Sequence, residues 1–235
     1  MSPFISEFVG TMALITLGNG VVANVVLNKT KGNNSGWIVI CFGWATAVFT
    51  GVFISADASG AHLNPAVTVA LAAIGKFSWS LVPSYIAAQV LGAMAGSLLV
   101  WLAYYQHFNE TSDAASQLAV FSTGPAIRNA THNILTEIIG TFILVFAVLN
   151  MAAPANSLGA VNALPVAFVV LAVGLGLGGP TGYAINPARD LGPRIMFAIL
   201  PIKGKGKADW GYSWIPVIAP IIGGVLAAYL FQAIN

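Results

Sequence analysis

Two copies of the tripeptide Asn-Pro-Ala are the residues of this chain best suited to contact with a small polar molecule. They lie at 64–66 and 186–188, each inside an otherwise apolar stretch, and Arg189 directly follows the second copy. An asparagine amide can donate hydrogen bonds to a hydroxyl group, and a guanidinium offers up to five donors in a fixed plane. Proline is favoured at the first position of a helix, and the asparagine before it can cap that helix. The spacing therefore predicts two helix N-termini that present the amides of Asn64 and Asn186.

The composition shows which solvent surrounds these helices. Of the 235 residues, 57% are hydrophobic and only 7% are charged, whereas roughly 25% are charged in a soluble domain. So few charges could not cover the surface of a soluble protein, which predicts an all-α polytopic membrane protein in contact with lipid. The net charge of +2 is too small for a nucleic-acid interface.

Chemistry other than binding finds little support in the sequence. Cys41 is the single cysteine, so an intrachain disulfide is excluded and a small buried side chain is the expected role. The sequence has no nucleophile paired with a base, no phosphate-binding loop and no cluster of metal-ligating residues. We therefore expect no enzyme activity, no metal and no cofactor.

Six apolar segments are long enough to cross about 30 Å of hydrocarbon. They lie at about 4–27, 37–56, 80–105, 132–151, 160–179 and 213–233. Two shorter segments, about 65–75 and 187–199, begin at the prolines of the two tripeptides and are too short to span. Because an interrupted backbone is tolerated at membrane depth only where it lines a cavity, these half-helices predict a pore.

The order of these segments repeats within the chain. Residues 6–11 return as 136–141, and residues 59–66 return as 181–188. Each repeat has three full crossings, so the second repeat is inverted and the two half-helices meet near the midplane. The prediction is one channel domain over 1–235, with a first repeat over about 1–106, a polar connection over about 107–131 and a second repeat over about 132–235.

The paired tripeptides, Glu7 and Glu137 in the first and fourth spans, and the internal repeat together resemble the aquaporin superfamily over essentially the whole chain. The stretches 60–66 and 186–190, with an aspartate after the arginine, are similar to the glycerol facilitator branch. This resemblance implies a fold of six transmembrane helices and two half-helices, and a passive channel for glycerol and other small neutral solutes with some water conduction. It also implies a homotetramer with one pore per protomer, and we expect it in the plasma membrane.

The resemblance further implies a selectivity filter built from Arg189 and three positions that the spacing places at Trp44, Gly174 and Tyr183. The two aromatic residues would face the hydrocarbon edge of glycerol, the guanidinium would face its hydroxyl groups, and Gly174 would leave room. Tyr183 stands where the better-known glycerol facilitators carry phenylalanine. Its hydroxyl would narrow the passage or add a polar contact.

The segments before the half-helices are expected to line the pore with backbone carbonyls. The residues concerned are Gly60, Ala61, His62, Leu63, Gly182 and Ala184. We expect Glu7 and Glu137 to hold these segments by accepting hydrogen bonds from their N–H groups. Proton relay is the alternative role for the two glutamates, but their equivalent placement in both repeats favours a scaffold.

Three other functions remain open on the sequence. The main solute of the channel could be lactic acid, dihydroxyacetone, urea or hydrogen peroxide. A coupled secondary transporter also uses inverted repeats and broken helices, although here the midplane carries amides instead of a titratable group. A purely structural junction protein would conduct no solute.

The orientation in the membrane receives two opposite predictions. The resemblance implies that both termini are cytoplasmic, which leaves Lys76 as the basic residue of the cytoplasmic loops. The outside loops would then carry Lys29, Lys31, Arg128, Lys203, Lys205 and Lys207. Because basic residues are enriched in cytoplasmic loops, this count predicts the reverse. We follow the resemblance.

Overall fold

The computed structural model of the protein describes residues 1–151 and 156–235, and six of the helices in these residues are long and apolar enough to cross a membrane. The helices are α1 (Pro3–Val26), α2 (Trp37–Ser59), α3 (Pro65–Ala73), α4 (Val82–Ala103), α5 (Tyr105–Glu110), α6 (Ala114–Phe121), α7 (Ala130–Asn150), α8 (Leu164–Leu177), α9 (Pro187–Ile199) and α10 (Trp210–Ile234). Helix α4 is preceded by a 3-10 turn at Trp79–Leu81, and α8 by one at Gly159–Ala163. The six predicted spans are confirmed, and α3 and α9 are the two half-helices.

The helices pack in two similar groups that follow the sequence repeat. In the first group α1 packs against α2 and α4, and in the second α7 packs against α8 and α10. Gly92 and Gly223 occupy equivalent places, because a Cβ at either position would clash with a backbone carbonyl, that of Phe8 or of Ile138. Small residues at helix contacts let backbones approach closely where no hydrophobic force between helices exists.

An even number of crossings puts both termini on one side of the membrane, here called the terminal face. The opposite side, called the loop face, carries residues 27–36, 104–129 and 200–209. Helix α3 runs from the interior to the terminal face, and α9 runs from the interior to the loop face. The two N-termini therefore point towards each other.

The polar connection between the repeats packs against the transmembrane helices. It contains α5 and α6, and α6 packs against α1 and α9. Fully buried Gln117 donates from Nε2 to the carbonyl oxygens of Thr111 at 2.8 Å and Lys203 at 3.0 Å. These contacts join the connection to the loop after α9. The repeat boundaries stay a prediction, and the second repeat includes residues 152–155, which lie outside the described residues.

Candidate functional site

The two asparagines of the repeated tripeptide cap the half-helices. Asn64 Oδ1 accepts a hydrogen bond from the N–H of Ala66 at 2.9 Å. Asn186 Oδ1 accepts from the N–H groups of Ala188 at 3.0 Å and Arg189 at 3.2 Å. Such caps satisfy backbone donors that have no partner within the helix. The capping predicted from the sequence is confirmed.

The same asparagines also cross-link the two repeats. Asn64 Nδ2 donates to the carbonyl oxygen of Ile185, and Asn186 Nδ2 donates to that of Leu63, both at 2.8 Å. An amide nitrogen carries two hydrogens, so each asparagine keeps one for another acceptor. Both donors lie where two positive helix ends meet, which makes this point electropositive.

The segments before the half-helices are folded into an unfavourable backbone conformation. Ala61 and Leu63 have φ angles of 49° and 50°, and Tyr183 and Ile185 have φ angles of 39° and 42°. The left-handed conformation costs roughly 1–2 kcal/mol for each residue that carries a Cβ. These segments therefore need partners that hold them, and the partners are the two buried glutamates.

Glu7 holds the first segment. Its carboxylate accepts hydrogen bonds from the N–H of His62 at 2.9 Å and of Leu63 at 2.7 Å. Two side chains also donate to it, Ser59 Oγ at 2.7 Å and Gln89 Nε2 at 2.8 Å. The sequence did not identify Ser59 or Gln89 as partners of Glu7. A glutamine inside a predicted span is a signal of a polar partner, and Gln89 is fully buried.

Glu137 holds the second segment in the equivalent way. It is fully buried and accepts from the N–H groups of Ala184 at 3.0 Å and Ile185 at 2.8 Å. Each glutamate is thus bonded to two successive N–H groups of its segment. This geometry fits the scaffold role, because the carboxylate oxygens are occupied by backbone donors.

A cavity of about 200 Å³ passes between the two repeats and contacts both asparagines. Its apolar lining is formed mainly by valine and leucine side chains from both repeats: Leu14, Val48, Val52, Val67, Leu144, Val148, Val166 and Val170. The predicted site residues that line it are Trp44, Gly60, Ala61, His62, Leu63, Asn64, Tyr183, Ala184, Asn186 and Arg189. Of the predicted residues, all of which the structure describes, the filter and pore-lining positions Gly174 and Gly182 and the scaffold residues Glu7 and Glu137 are outside this lining.

Three donors on the loop-face side of the asparagines have no protein partner. They are Trp44 Nε1, Tyr183 Oη and Arg189 Nη1, all of them buried, and none has a hydrogen-bond partner among the described residues. The Arg189 guanidinium carbon lies 4.0 Å from the centroid of the Trp44 ring, a cation–π distance. Buried polar groups normally form hydrogen bonds. Three unpartnered donors around one cavity therefore indicate a binding site for a polar solute.

Glycines make room for both aromatic residues. A Cβ at Gly174 would lie 2.8 Å from Tyr183 Cζ and 3.0 Å from its Oη, so the phenol ring covers this glycine. Gly174 was expected to leave room for the solute, but the Tyr183 ring occupies the space beside it. A Cβ at Gly18 would overlap the Trp44 ring. Gly18 was not predicted, because it is one of three glycines in α1 and nothing in the sequence singles it out.

A buried ion pair connects the second half-helix, α9, to neighbouring loops. Arg194 Nε lies 2.8 Å from Asp190 Oδ1, and both side chains are fully buried. Asp190 Oδ2 accepts from the N–H and Oγ1 of Thr123, and Arg194 Nη1 donates to the carbonyl oxygen of Ala208. The pair therefore joins α9 to two loops of the loop face.

His62 lies on the terminal-face side of the asparagines. Its Nδ1 is 3.1 Å from Thr68 Oγ1, and its ring contacts those of Phe77 and Tyr85. Within the described residues, no group of three or more potential metal ligands lies together. The surroundings of His62 are therefore aromatic contacts and one hydrogen bond.

Comparison with known proteins is consistent with this geometry. Residues 1–231 match the family described as Major intrinsic protein. The chain is 58% identical over 232 residues to a protein from Thermotoga maritima named probable glycerol uptake facilitator protein, covering 99% of each. It is 52% identical to the glycerol uptake facilitator protein of Streptococcus pneumoniae, again covering 99% of each.

A solved structure shows the same fold. The X-ray structure of the aquaglyceroporin from Plasmodium falciparum superposes with a TM-score of 0.87 at 34% identity, covering 97% of this chain and 94% of that one. The sequence match, the fold and the six spans agree over nearly all residues. The chain therefore belongs to the major intrinsic protein family, whose members are passive membrane channels and not enzymes.

Proposed function

We propose that the protein is a passive channel for glycerol and other small neutral solutes, with some water conduction. The observation that carries this proposal is one cavity lined both by apolar side chains of the two repeats and by three residues with unpartnered donors. Glycerol has a hydrocarbon edge and a hydroxyl edge, so it matches both the apolar residues and the donors of this lining. The names of the glycerol uptake facilitators to which the chain is similar support the same solute.

The proposed filter consists of Trp44, Gly174, Tyr183 and Arg189. Arg189 would bond the hydroxyl oxygens, while the aromatic rings would contact the carbon chain. Gly174 would act indirectly, because the Tyr183 ring lies over it. Further along, the amides of Asn64 and Asn186 would donate to the same hydroxyl groups.

Cations and protons would be excluded by charge. Arg189 is permanently charged, and the two half-helices direct their positive ends towards the asparagines. A water molecule at this point turns its oxygen towards the donors, which opposes proton transfer along a water chain.

A coupled transporter finds less support than a channel. Among the described residues that line the cavity, the titratable side chains are His62, Tyr183 and Arg189, without a carboxylate. The two buried glutamates are bonded to backbone N–H groups. A group that took up a proton in each cycle would have to release these bonds.

The decisive experiment is stopped-flow light scattering of proteoliposomes against protein-free liposomes. We expect fast glycerol entry with a rate linear in concentration and unaffected by collapse of a proton gradient. Parallel gradients of lactic acid, dihydroxyacetone, urea and hydrogen peroxide rank the other solutes. Water movement without glycerol entry, saturation at low concentration or absence of any flux would contradict the proposal.

We further propose a homotetramer in the plasma membrane with the terminal face in the cytoplasm. Cys41 is fully buried, so a cysteine introduced elsewhere would be the only accessible thiol. An impermeant maleimide added to intact cells should label Lys207→Cys and spare Asn235→Cys, whereas the reverse pattern would invert the orientation. Native mass spectrometry of the detergent-solubilised protein should give four chains.

A further inference from the structure

Trp37 lies outside the proposed filter but contacts two of its members. We propose that Trp37 is a positioning residue that fixes the phenol ring of Tyr183 and so determines which solutes pass. This inference rests on the proposed filter and adds a residue that neither the tripeptides nor the spacing from them identified.

The first contact is a hydrogen bond to the backbone of α8. The indole Nε1–H of Trp37 donates to the carbonyl oxygen of Gly174 at 3.0 Å. That carbonyl also accepts from the N–H of Gly178 at 3.2 Å, so the indole bonds the last turn of the helix. Trp37 therefore connects the start of α2 to the part of α8 against which Tyr183 rests.

The second contact is with the Tyr183 ring itself. The ring centroids of Trp37 and Tyr183 are 5.7 Å apart, and the ring planes are inclined by 78°. This is the edge-to-face arrangement that aromatic pairs favour. A Cβ at Gly178 would lie 2.6 Å from Trp37 Cζ2 and 2.6 Å from Tyr183 Cδ1, so both rings close over this glycine.

Tyr183 needs such a support. Its φ of 39° is left-handed, and its hydroxyl has no hydrogen-bond partner among the described residues. The ring lies along one face of α8, with its hydroxyl end over Gly174 and its Cδ1 edge over Gly178, and Trp37 packs against it at 78°. Without the indole, the phenol would gain room to move away from the cavity, and the filter would widen.

Trp37 is itself held in place by the loop before it. It begins α2 after Gly36, whose φ of 95° favours glycine. The side chain of Asn33 donates to the carbonyl oxygens of Val25 at 3.3 Å and Leu27 at 3.0 Å. Although 39% of Trp37 is exposed, its backbone is thus tied to the end of α1.

The test measures the permeability of proteoliposomes to glycerol and to erythritol, a polyol one carbon longer. Trp37→Phe keeps a ring and removes the N–H donor, and we expect it to raise the erythritol-to-glycerol ratio about fivefold, the effect of one lost neutral hydrogen bond. Trp37→Leu should raise the ratio further. Trp79→Phe is the matched control, since Trp79 is 58% exposed on the terminal face, and its ratio should equal that of the wild type.

A double variant separates positioning from a general structural effect. In a Tyr183→Leu background there is no phenol to position, so Trp37→Phe should leave the ratio unchanged. A ratio that Trp37→Phe does not alter in the wild-type background, or alters equally in both backgrounds, would overturn the role of Trp37. If Tyr183→Leu itself does not alter the ratio, or the wild type does not conduct glycerol, the proposed filter or function fails instead.

Discussion

At the level of single residues, the candidate site depends on the space available to each side chain as well as on the residue types. Trp44 and Arg189 are in cation–π contact, and the Trp44 ring occupies the space above Gly18. A tryptophan in a membrane helix without such a space would have to take another rotamer. Gly18 therefore decides how far the indole reaches into the cavity.

The variant Gly18→Ala tests this seating. Its methyl group would overlap the Trp44 ring, and relieving the overlap should move the ring towards the cavity. Overpacking of this kind costs about 1–3 kcal/mol, so we expect glycerol permeability to fall about tenfold, which corresponds to ~1.4 kcal/mol. Stopped-flow light scattering provides the measurement.

Gly20→Ala in the same helix is the control for Gly18→Ala. A Cβ at Gly20 would have no neighbour within 4 Å, so this variant should conduct like the wild type. Equal permeability of the two alanine variants would show that Gly18 does not position Trp44.

At the scale of elements, each half-helix depends on a glutamate from another helix. The strained segments before α3 and α9 are held by Glu7 of α1 and Glu137 of α7. Glu7 has two side-chain donors, Ser59 and Gln89, in addition to its backbone partners. Both repeats thus place a carboxylate on two successive backbone N–H groups, whereas the side-chain donors around the two carboxylates differ.

The variant Glu137→Gln should destabilise the second segment. One carboxylate oxygen, which accepts a hydrogen bond from the N–H of Ala184 or Ile185, would be replaced by an amide NH2 group. Two donors would then face each other and that hydrogen bond would be lost. Hydrogen bonds to charged groups contribute about 1.5–3 kcal/mol, so both the thermal unfolding midpoint in detergent and the glycerol permeability should fall. Glu110→Gln, in an exposed ion pair with Lys29, should change neither.

The competing role of Glu137 gives a different result. A proton relay would leave the unfolding midpoint of Glu137→Gln near that of the wild type and abolish a pH dependence of transport. These two results together would contradict the scaffold role of Glu137 and support the proton relay.

At the scale of the whole molecule, the loop face is organised by one buried ion pair. Asp190 and Arg194 connect α9 with the residues around Thr123 and Ala208. Away from water, an ion pair persists only when its remaining donors and acceptors are also bonded, as they are here. The helix that carries Arg189 of the cavity lining is therefore tied to segments that are far apart in the sequence.

The variant Arg194→Met should leave Asp190 buried without its charged partner. Removing one member of a buried pair costs about 3–5 kcal/mol, so the unfolding midpoint should fall strongly. Arg128→Met is the comparison, because Arg128 pairs with Asp209 and its side chain is 61% exposed. Exposed pairs contribute about 0–1 kcal/mol, and equal losses of stability in both variants would contradict this account.

The spans, the two half-helices and the capping asparagines could all be predicted without a structure. These features are local: the length of an apolar run decides whether it crosses the bilayer, and Asn-Pro decides where a helix begins. The repeat added the inverted arrangement, and the resemblance supplied the filter positions, of which Trp44, Tyr183 and Arg189 line the cavity.

Which side chains come into contact could not be predicted in this way. The bonds from Asn64 to Ile185 and from Trp37 to Gly174 join residues more than a hundred positions apart. The glycine at 18 has the same local chemistry as the glycine at 20, yet a Cβ on the first alone would meet an aromatic ring. Contacts of this kind depend on how whole helices are placed against each other, and that placement is a property of the packed molecule and not of any short stretch of its sequence.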